Sequence, residues 1–509
     1  MEKTSNKTIA KNTIFLYFRM ALVTVVGLYT SRVILQYLGV DDFGIYNVAG
    51  SAVALFGFIT GALGGASSRF IMVEMGKVSD EDNSRLVSCF KTTKSIHAIL
   101  AFIILLFCET IGLWIFSNAN IPIDRQNAAF WVFQISVATA LFNVTQIPFN
   151  ALIIAHERMS IYAYISIFEV VAKLLICYML TISPIDKLVF YALLLFTIQV
   201  LVRSYYRFYC SRNFKECQSG YSMNSEFFRP IMSFSFWNLF GSLSFTALTQ
   251  GATLIMSFFF TPAIVASRAI ANQVKSHVLN FVNNFRTAIN PQIIKRHAAG
   301  EEESSRKLIF FSANFSFYLM LVFVLPLLFE SRFVLDLWLK EVPVYTTEFL
   351  QLVLLEMLFY VYDASFYQIF QSEGRLKENA IICPVMDLIG LAIVYIVYMY
   401  GGSVLAIAYC MLFLTIIQGM VVKPWLAVRL FGYKWSDFFR VFGNNSIVFV
   451  TSAILPFITD KYINESMISN ICLIIISVLS VVVSAFFLGL NKQDRVRVLE
   501  LLRSKIKSN

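Results

Sequence analysis

The chain has 509 residues, 58% of them hydrophobic and 14% charged, with a formal net charge of +10 and a mean hydropathy of +0.69. Soluble domains are about 45–50% apolar and 25% charged, so the excess must face lipid, and a soluble enzyme is excluded. Apolar runs of about 20 residues, enough to cross a bilayer, recur from Asn12 onward and predict fourteen spans: 12–38, 43–75, 95–117, 127–154, 160–181, 187–209, 227–260, 263–290, 307–330, 345–372, 378–400, 402–422, 440–460 and 467–490. The polar start MEKTSNKTIAK has no small-residue cleavage pattern behind it, which predicts a retained first helix.

The connections on one side are short: GVDD at 39–42, TP at 261–262, GG at 401–402, and at the longest the stretch around Arg332 to Thr346. They leave no room for an outer domain. A polar break near 215–226 separates a first lobe of six helices (1–215) from a second (227–425). A further helix pair follows at 440–490, then a basic tail at 491–509. Each lobe opens on a long helix, a short outer turn and a second long helix, closing on GALGGASSRF in one and NNFRTAINPQ in the other; repeated lobes are a common transporter plan. In the tail, Val496, Leu499, Leu502 and Ile506 recur at helical spacing between basic residues. This fits an amphipathic helix on an anionic inner surface, or equally a cationic end that only sets topology.

With the amino terminus placed inside, 29 of the 41 Lys and Arg residues fall on inner connections, Lys423, Lys434 and Arg440 among them. Only Arg125, Lys187, Arg332, Lys340 and Lys461 fall outside. That asymmetry is the positive-inside bias, so the basic charge reports topology, with both termini cytoplasmic, rather than nucleic-acid binding.

The other seven cations lie within the spans: Arg19, Arg32, Arg69, Lys173, Arg268, Lys275 and Arg286. An ionised group in hydrocarbon costs about 2.5–3.5 kcal/mol on insertion scales, so such residues face a cavity or a partner. At 100° per residue, Arg268, Lys275 and Arg286 share one stripe of a helix, with Asn272 and Asn290 beside it. The stripe reads as a cationic wall of a hydrated interior, the alternative being that Arg268 and Arg286 snorkel to opposite interfaces. Glu169 and Lys173, four apart, form a self-neutralising pair or a site where a phosphate displaces the carboxylate. Glu356 and Asp363, seven apart, and Asp387 are further acids at span depth. Together with Glu169 they are ion-coupling candidates for H+ or Na+, although pairing with nearby cations explains them as well. Pro148, Pro384 and Pro424 permit kinks. Eight scattered cysteines read as small core residues, and the four histidines have no metal spacing.

Four segments carry a family resemblance: SRVILQYLGVDDFGIYNV, GALGGASSRF, PFNALIIAHERMSIYAYISIFEVVAKL and the polar helix ending in NPQI. With the fourteen-span layout, the chain resembles the polysaccharide transporters, or Wzx-type O-antigen and capsule flippases, of the multidrug/oligosaccharidyl-lipid/polysaccharide (MOP) exporter superfamily. The resemblance implies an all-α, MATE-like polytopic membrane fold of two six-helix lobes plus a helix pair. It implies a flippase rather than an enzyme, with no cofactor. The cargo would be an undecaprenyl-pyrophosphate-linked oligosaccharide moved by alternating access across the bacterial inner membrane, with a polysaccharide polymerase and other assembly proteins as partners. Cavity Arg and Lys would bind the cargo, a role that falls here on the seven cations at span depth. Drug antiporters of the superfamily commonly carry an acid in helix one, where this chain has two arginines. A cation-coupled exporter of small amphiphiles is the alternative. A membrane polymerase would need a large outer loop or a clustered acid–base set, and the sequence shows neither.

Overall fold

The computed structural model describes residues 23–75, 83–156, 158–217, 220–462, 466–490 and 495. Arg19, the polar start and nearly all of the basic tail lie outside them. The chain is all-helical, without strands among the described residues. In order the helices are α1 Val23–Leu38, α2 Val40–Ala54, α3 Gly57–Met75, α4 Ser84–Ser117, α5 Ile123–Ala155, α6 Met159–Met179, α7 Lys187–Asn213, α8 Ser225–Thr246, α9 Ala247–Phe259, α10 Pro262–Ala298, α11 Glu302–Phe329, α12 Ser331–Trp338, α13 Thr346–Ser372, α14 Lys377–Met399, α15 Ala406–Phe431, α16 Trp435–Tyr462 and α17 Met467–Gly489.

Among the described residues nine helices are long and apolar enough to cross a membrane, or ten if the bent pair α1 and α2 is one span. Fourteen were expected. The difference falls on segments that are helical but broken or charged. The predicted span 43–75 is interrupted at Leu55 and Phe56 between α2 and α3, and 227–260 is divided into α8 and α9. Helix α10 runs for 37 residues with three cations in its middle. Between α1 and α2 the chain turns by 115° at Gly39, whose φ of +84° excludes most side chains.

The chain divides into two compact units. The first comprises 1–266 with 338–343, and the second 267–337 with 344–509. The polar break at 215–226 lies inside the first unit, because α8 beyond it packs on α3. In that unit α5 lies against α2, α3, α4 and α7. Gly44 of α2 lets the backbone of Pro262 approach so closely that a Cβ would overlap its carbonyl. At one end Arg125, opening α5, donates to Asp42 of α2 (2.8 and 2.5 Å) and to Asp186 (2.7 Å). Asp186 in turn caps α7 by accepting from the Leu188 and Val189 amides. One planar guanidinium therefore ties three helices.

In the second unit α13 is the central helix: 67% of its span window is buried, against 17% in α14 and α17, which leaves the latter two to face lipid. Lipid is as apolar as a core, so association here relies on packing and interhelical polar contacts rather than on escape from water. The packing is aromatic. Phe366 meets Phe438 edge-on at 5.0 Å, Tyr362 meets Phe442 at 5.0 Å, and Asn445 donates to the Tyr362 hydroxyl (3.1 Å). Six of the eight cysteines are buried, and all eight are free thiols.

Candidate functional site

The charged stripe of α10 is the starting point. Eighteen residues separate Arg268 from Arg286, about 27 Å of helix, which nearly equals the hydrocarbon thickness of about 30 Å. Three cations therefore sit at three depths on one face. Arg268 is 6% exposed and Arg286 8%, so neither reaches a water interface as snorkelling requires. Protein surrounds both ends of the stripe, supplied by α13 and α15, while Lys275 between them is half-buried.

Glu356 of α13, 7% exposed, accepts from Lys275 Nζ at 2.7 Å. Eight residues further along α13, the Ala364 carbonyl accepts from Arg286 Nη2, and Asn283 Oδ1 lies 3.3 Å from Nη1. Because Lys275 and Arg286 meet Glu356 and Ala364 in the same chain order, α10 and α13 run parallel, as alternate spans of a serpentine chain must. Arg268 Nη2 approaches Met411 Sδ of α15 at 3.6 Å. Two buried atoms beside Arg286 have no hydrogen-bond partner: its own Nε, a donor, and Asn290 Oδ1, an acceptor.

The other acids are engaged on α15. Lys423 Nζ lies 2.5 Å from Asp363 Oδ1 and donates to the Asp363 carbonyl at 2.9 Å. Gln418 Nε2 donates to Asp387 Oδ1 of α14 at 2.6 Å. The placement has a local cause. Residues Gln418–Val422 form a π-helical turn, and Pro424, which lacks an N–H, follows directly; a wide turn relieves the clash proline makes with the preceding turn. Gly419 brings α15 against α13, where a Cβ would meet Asp363 N at 3.0 Å and the Phe359 carbonyl at 3.1 Å.

Lys423 was assigned to an inner connection, but it is 4% exposed and paired inside the unit. The available signal was its setting, a lone cation between two valines and Pro-Trp. Gln418 was missed because an uncharged amide in an apolar run carries no charge signal. Glu356 and Asp363 do each meet a cation, the pairing reading left open for them.

In the first unit Arg32 is half-buried, Arg69 and Lys173 are exposed and Glu169 is half-buried. None of them lines that unit's cavity of about 420 Å3, whose polar wall is Tyr46, Thr60, Ser136, Thr139 and Asn143. Glu109 accepts from Gln134 at 3.2 Å. Among the described residues no cluster of His, Cys, Asp and Glu has the makings of a metal site.

Comparison with solved structures gives the fold class. The chain matches a structure titled lipid II flippase MurJ, inward closed conformation, at a TM-score of 0.70 and 13% identity, covering 93% of this chain and 97% of that one. It also matches an inward-facing multidrug resistance MATE family transporter of the MOP superfamily (TM-score 0.59, 13% identity, 81% and 94% covered). A third match is a Vibrio cholerae MATE transporter (0.55, 15%, 86% and 100%). At such identities the likeness establishes the fold alone, one shared with MurJ and the MATE transporters. The sequence profile of the polysaccharide biosynthesis protein family matches residues 9–297, more than half of the chain, and the protein belongs to that family. No curated protein matches it in sequence.

Proposed function

We propose that the protein is a flippase that carries an undecaprenyl-pyrophosphate-linked oligosaccharide, the repeat unit of an O-antigen, capsule or exopolysaccharide, from the inner to the outer leaflet of the bacterial inner membrane by alternating access. Both termini are cytoplasmic in this reading, as the cation bias requires. The observation that carries it is the file of Arg268, Lys275 and Arg286 along one helix, the outer two buried and Lys275 half-buried, in a member of a polysaccharide biosynthesis family. A pyrophosphate needs such groups, and Arg binds phosphate through two parallel donors.

The unpaired Arg286 Nε is a donor for a phosphate oxygen. Lys275 is shared: a phosphate that takes its ammonium releases Glu356, a carboxylate able to accept H+ or Na+ and so couple transport to an ion gradient. Arg19, Arg32, Arg69 and Lys173 are further cargo-binding cations, and Asp363, Asp387 and Glu169 further coupling groups, in this proposal. No covalent step is needed and no cofactor is called for.

The alternative, a cation-coupled exporter of small amphiphiles, draws on the buried acids Glu356 and Asp363. Two experiments in proteoliposomes separate them: movement of a labelled undecaprenyl-pyrophosphate oligosaccharide, and export of a fluorescent cation. Lipid-linked transport by wild type, lost in Lys275→Ala/Arg286→Ala, supports the flippase. Export of the cation by a folded protein that leaves the oligosaccharide in place overturns it.

A further inference from the structure

The second unit has a basic pocket that the transport site does not use. Its volume is about 950 Å3, and it lies among the opening turns of α11 and α16 and the end of α17. Arg296, Arg306, Lys307, Lys434 and Arg440 line it, against Glu303 and Asp437. Lys307 is neutralised by Glu303 at 2.6 Å. Arg306 is held in place, stacked over the Tyr433 ring at 4.4 Å and donating to the Phe431 carbonyl at 3.0 Å.

Lys434 and Arg440 stand exposed at the start of α16. The amino-terminal ends of α11 and α16, two helices of 28 residues each, add the positive ends of their dipoles to the same place. Below the cations the wall turns apolar with Phe311 and Phe315, whose rings stack at 5.9 Å. Asn314, between Phe311 and Phe315 on α11, also lines the pocket, and its Oδ1 is buried without a hydrogen-bond partner.

We infer that this pocket binds the headgroup of an anionic phospholipid of the surrounding bilayer. The phosphodiester sits between Lys434, Arg440 and Arg296, and the first acyl carbons run along Phe311 and Phe315. A soluble anion would have no use for the aromatic wall, which starts where the span of α11 begins. The chain's own continuation from Lys492, KQDRVRVLELLRSKIK, is basic overall, so it is not the anionic occupant that these cations call for. The inner leaflet is the anionic one and carries the excess of cations, so ligand and site fall on the same face. The inference concerns a lipid that stays, not the cargo, and stands whether or not the chain is a flippase.

The test uses the full chain in uncharged detergent, titrated with phosphatidylglycerol or phosphatidylcholine and read by native mass spectrometry and thermal unfolding. Wild type should retain phosphatidylglycerol about tenfold over phosphatidylcholine, and Lys434→Glu/Arg440→Glu should lose that preference. If the reversed variant does not elute monodisperse, Lys434→Gln/Arg440→Gln is read by the same criteria. Equal retention of the two lipids by wild type, or an unchanged preference in the variant, overturns the inference. Inorganic phosphate or glycerol 3-phosphate raising the melting temperature as far as phosphatidylglycerol does would replace the lipid with a soluble anion.

Discussion

Replacing Lys275 with Met separates its structural work from its work in transport. At 2.7 Å from Glu356 two unit charges attract by about 6 kcal/mol at an effective dielectric of 20, which the desolvation of both ions largely offsets. The intact pair is therefore close to neutral for stability. Losing one partner is not: Glu356, with a side chain 9% exposed, is left buried without its hydrogen-bonded cation and with only the electrostatic influence of Arg268, at a cost of up to about 3–5 kcal/mol. Lys275→Met should thus unfold at a much lower temperature than wild type, while Lys275→Met/Glu356→Gln should recover most of the loss. The neutral double variant then reports on transport without the stability loss, and Glu356→Gln alone measures what the carboxylate contributes by ion coupling. If Lys275 holds the phosphate, removing one charge-assisted contact of about 1.5–3 kcal/mol slows flipping of the labelled lipid-linked oligosaccharide about 10- to 150-fold in proteoliposomes. Wild-type transport by a stable double variant would refute the assignment and leave the pair a structural one.

Further expectations rest on other contacts. Arg125→Ala removes the bridge between Asp42 and Asp186 at the end of the first unit and should cost about 2–4 kcal/mol in thermal unfolding; a melting curve unchanged to within 1 °C would contradict it. Burial raises the Asp186 carboxyl, but the Arg125 hydrogen bond and the Val189 and Leu188 amides outweigh it and hold Asp186 below its ordinary value. Its contribution is therefore present above the ordinary carboxylate range and lost as pH falls through the depressed value. A titration of stability should show that acid loss in wild type and a smaller one in Arg125→Ala. Gly419→Ala drives a methyl against the Asp363 and Phe359 backbone of α13 and should cost about 1–3 kcal/mol by overpacking. Full stability of that variant would mean that α15 does not approach α13 as closely as described.

Much of the candidate site was legible because charge inside an apolar run is conspicuous. The spacing of Arg268, Lys275 and Arg286 places them on one stripe by helix geometry alone, and the seven-residue spacing of Glu356 and Asp363 puts both on one face of α13. What charge counting misjudged was Lys423. A cation at the end of a hydrophobic run looks like a loop residue until the π-turn before Pro424 draws it inside. Likewise Arg296, Arg306, Lys434 and Arg440 read only as topology signals, since nothing local says that helices distant in sequence gather them around one pocket.

The membrane class and the helical fold follow from the sequence by itself, because hydropathy is a local, additive quantity that needs no knowledge of contacts. Partners are of another kind. That Lys275 meets Glu356, Lys423 meets Asp363 and Arg286 reaches the Ala364 carbonyl depends on which helices lie side by side and in what register. Tertiary packing alone decides this, because in lipid helices associate by close fit and polar contact between residues far apart in the chain.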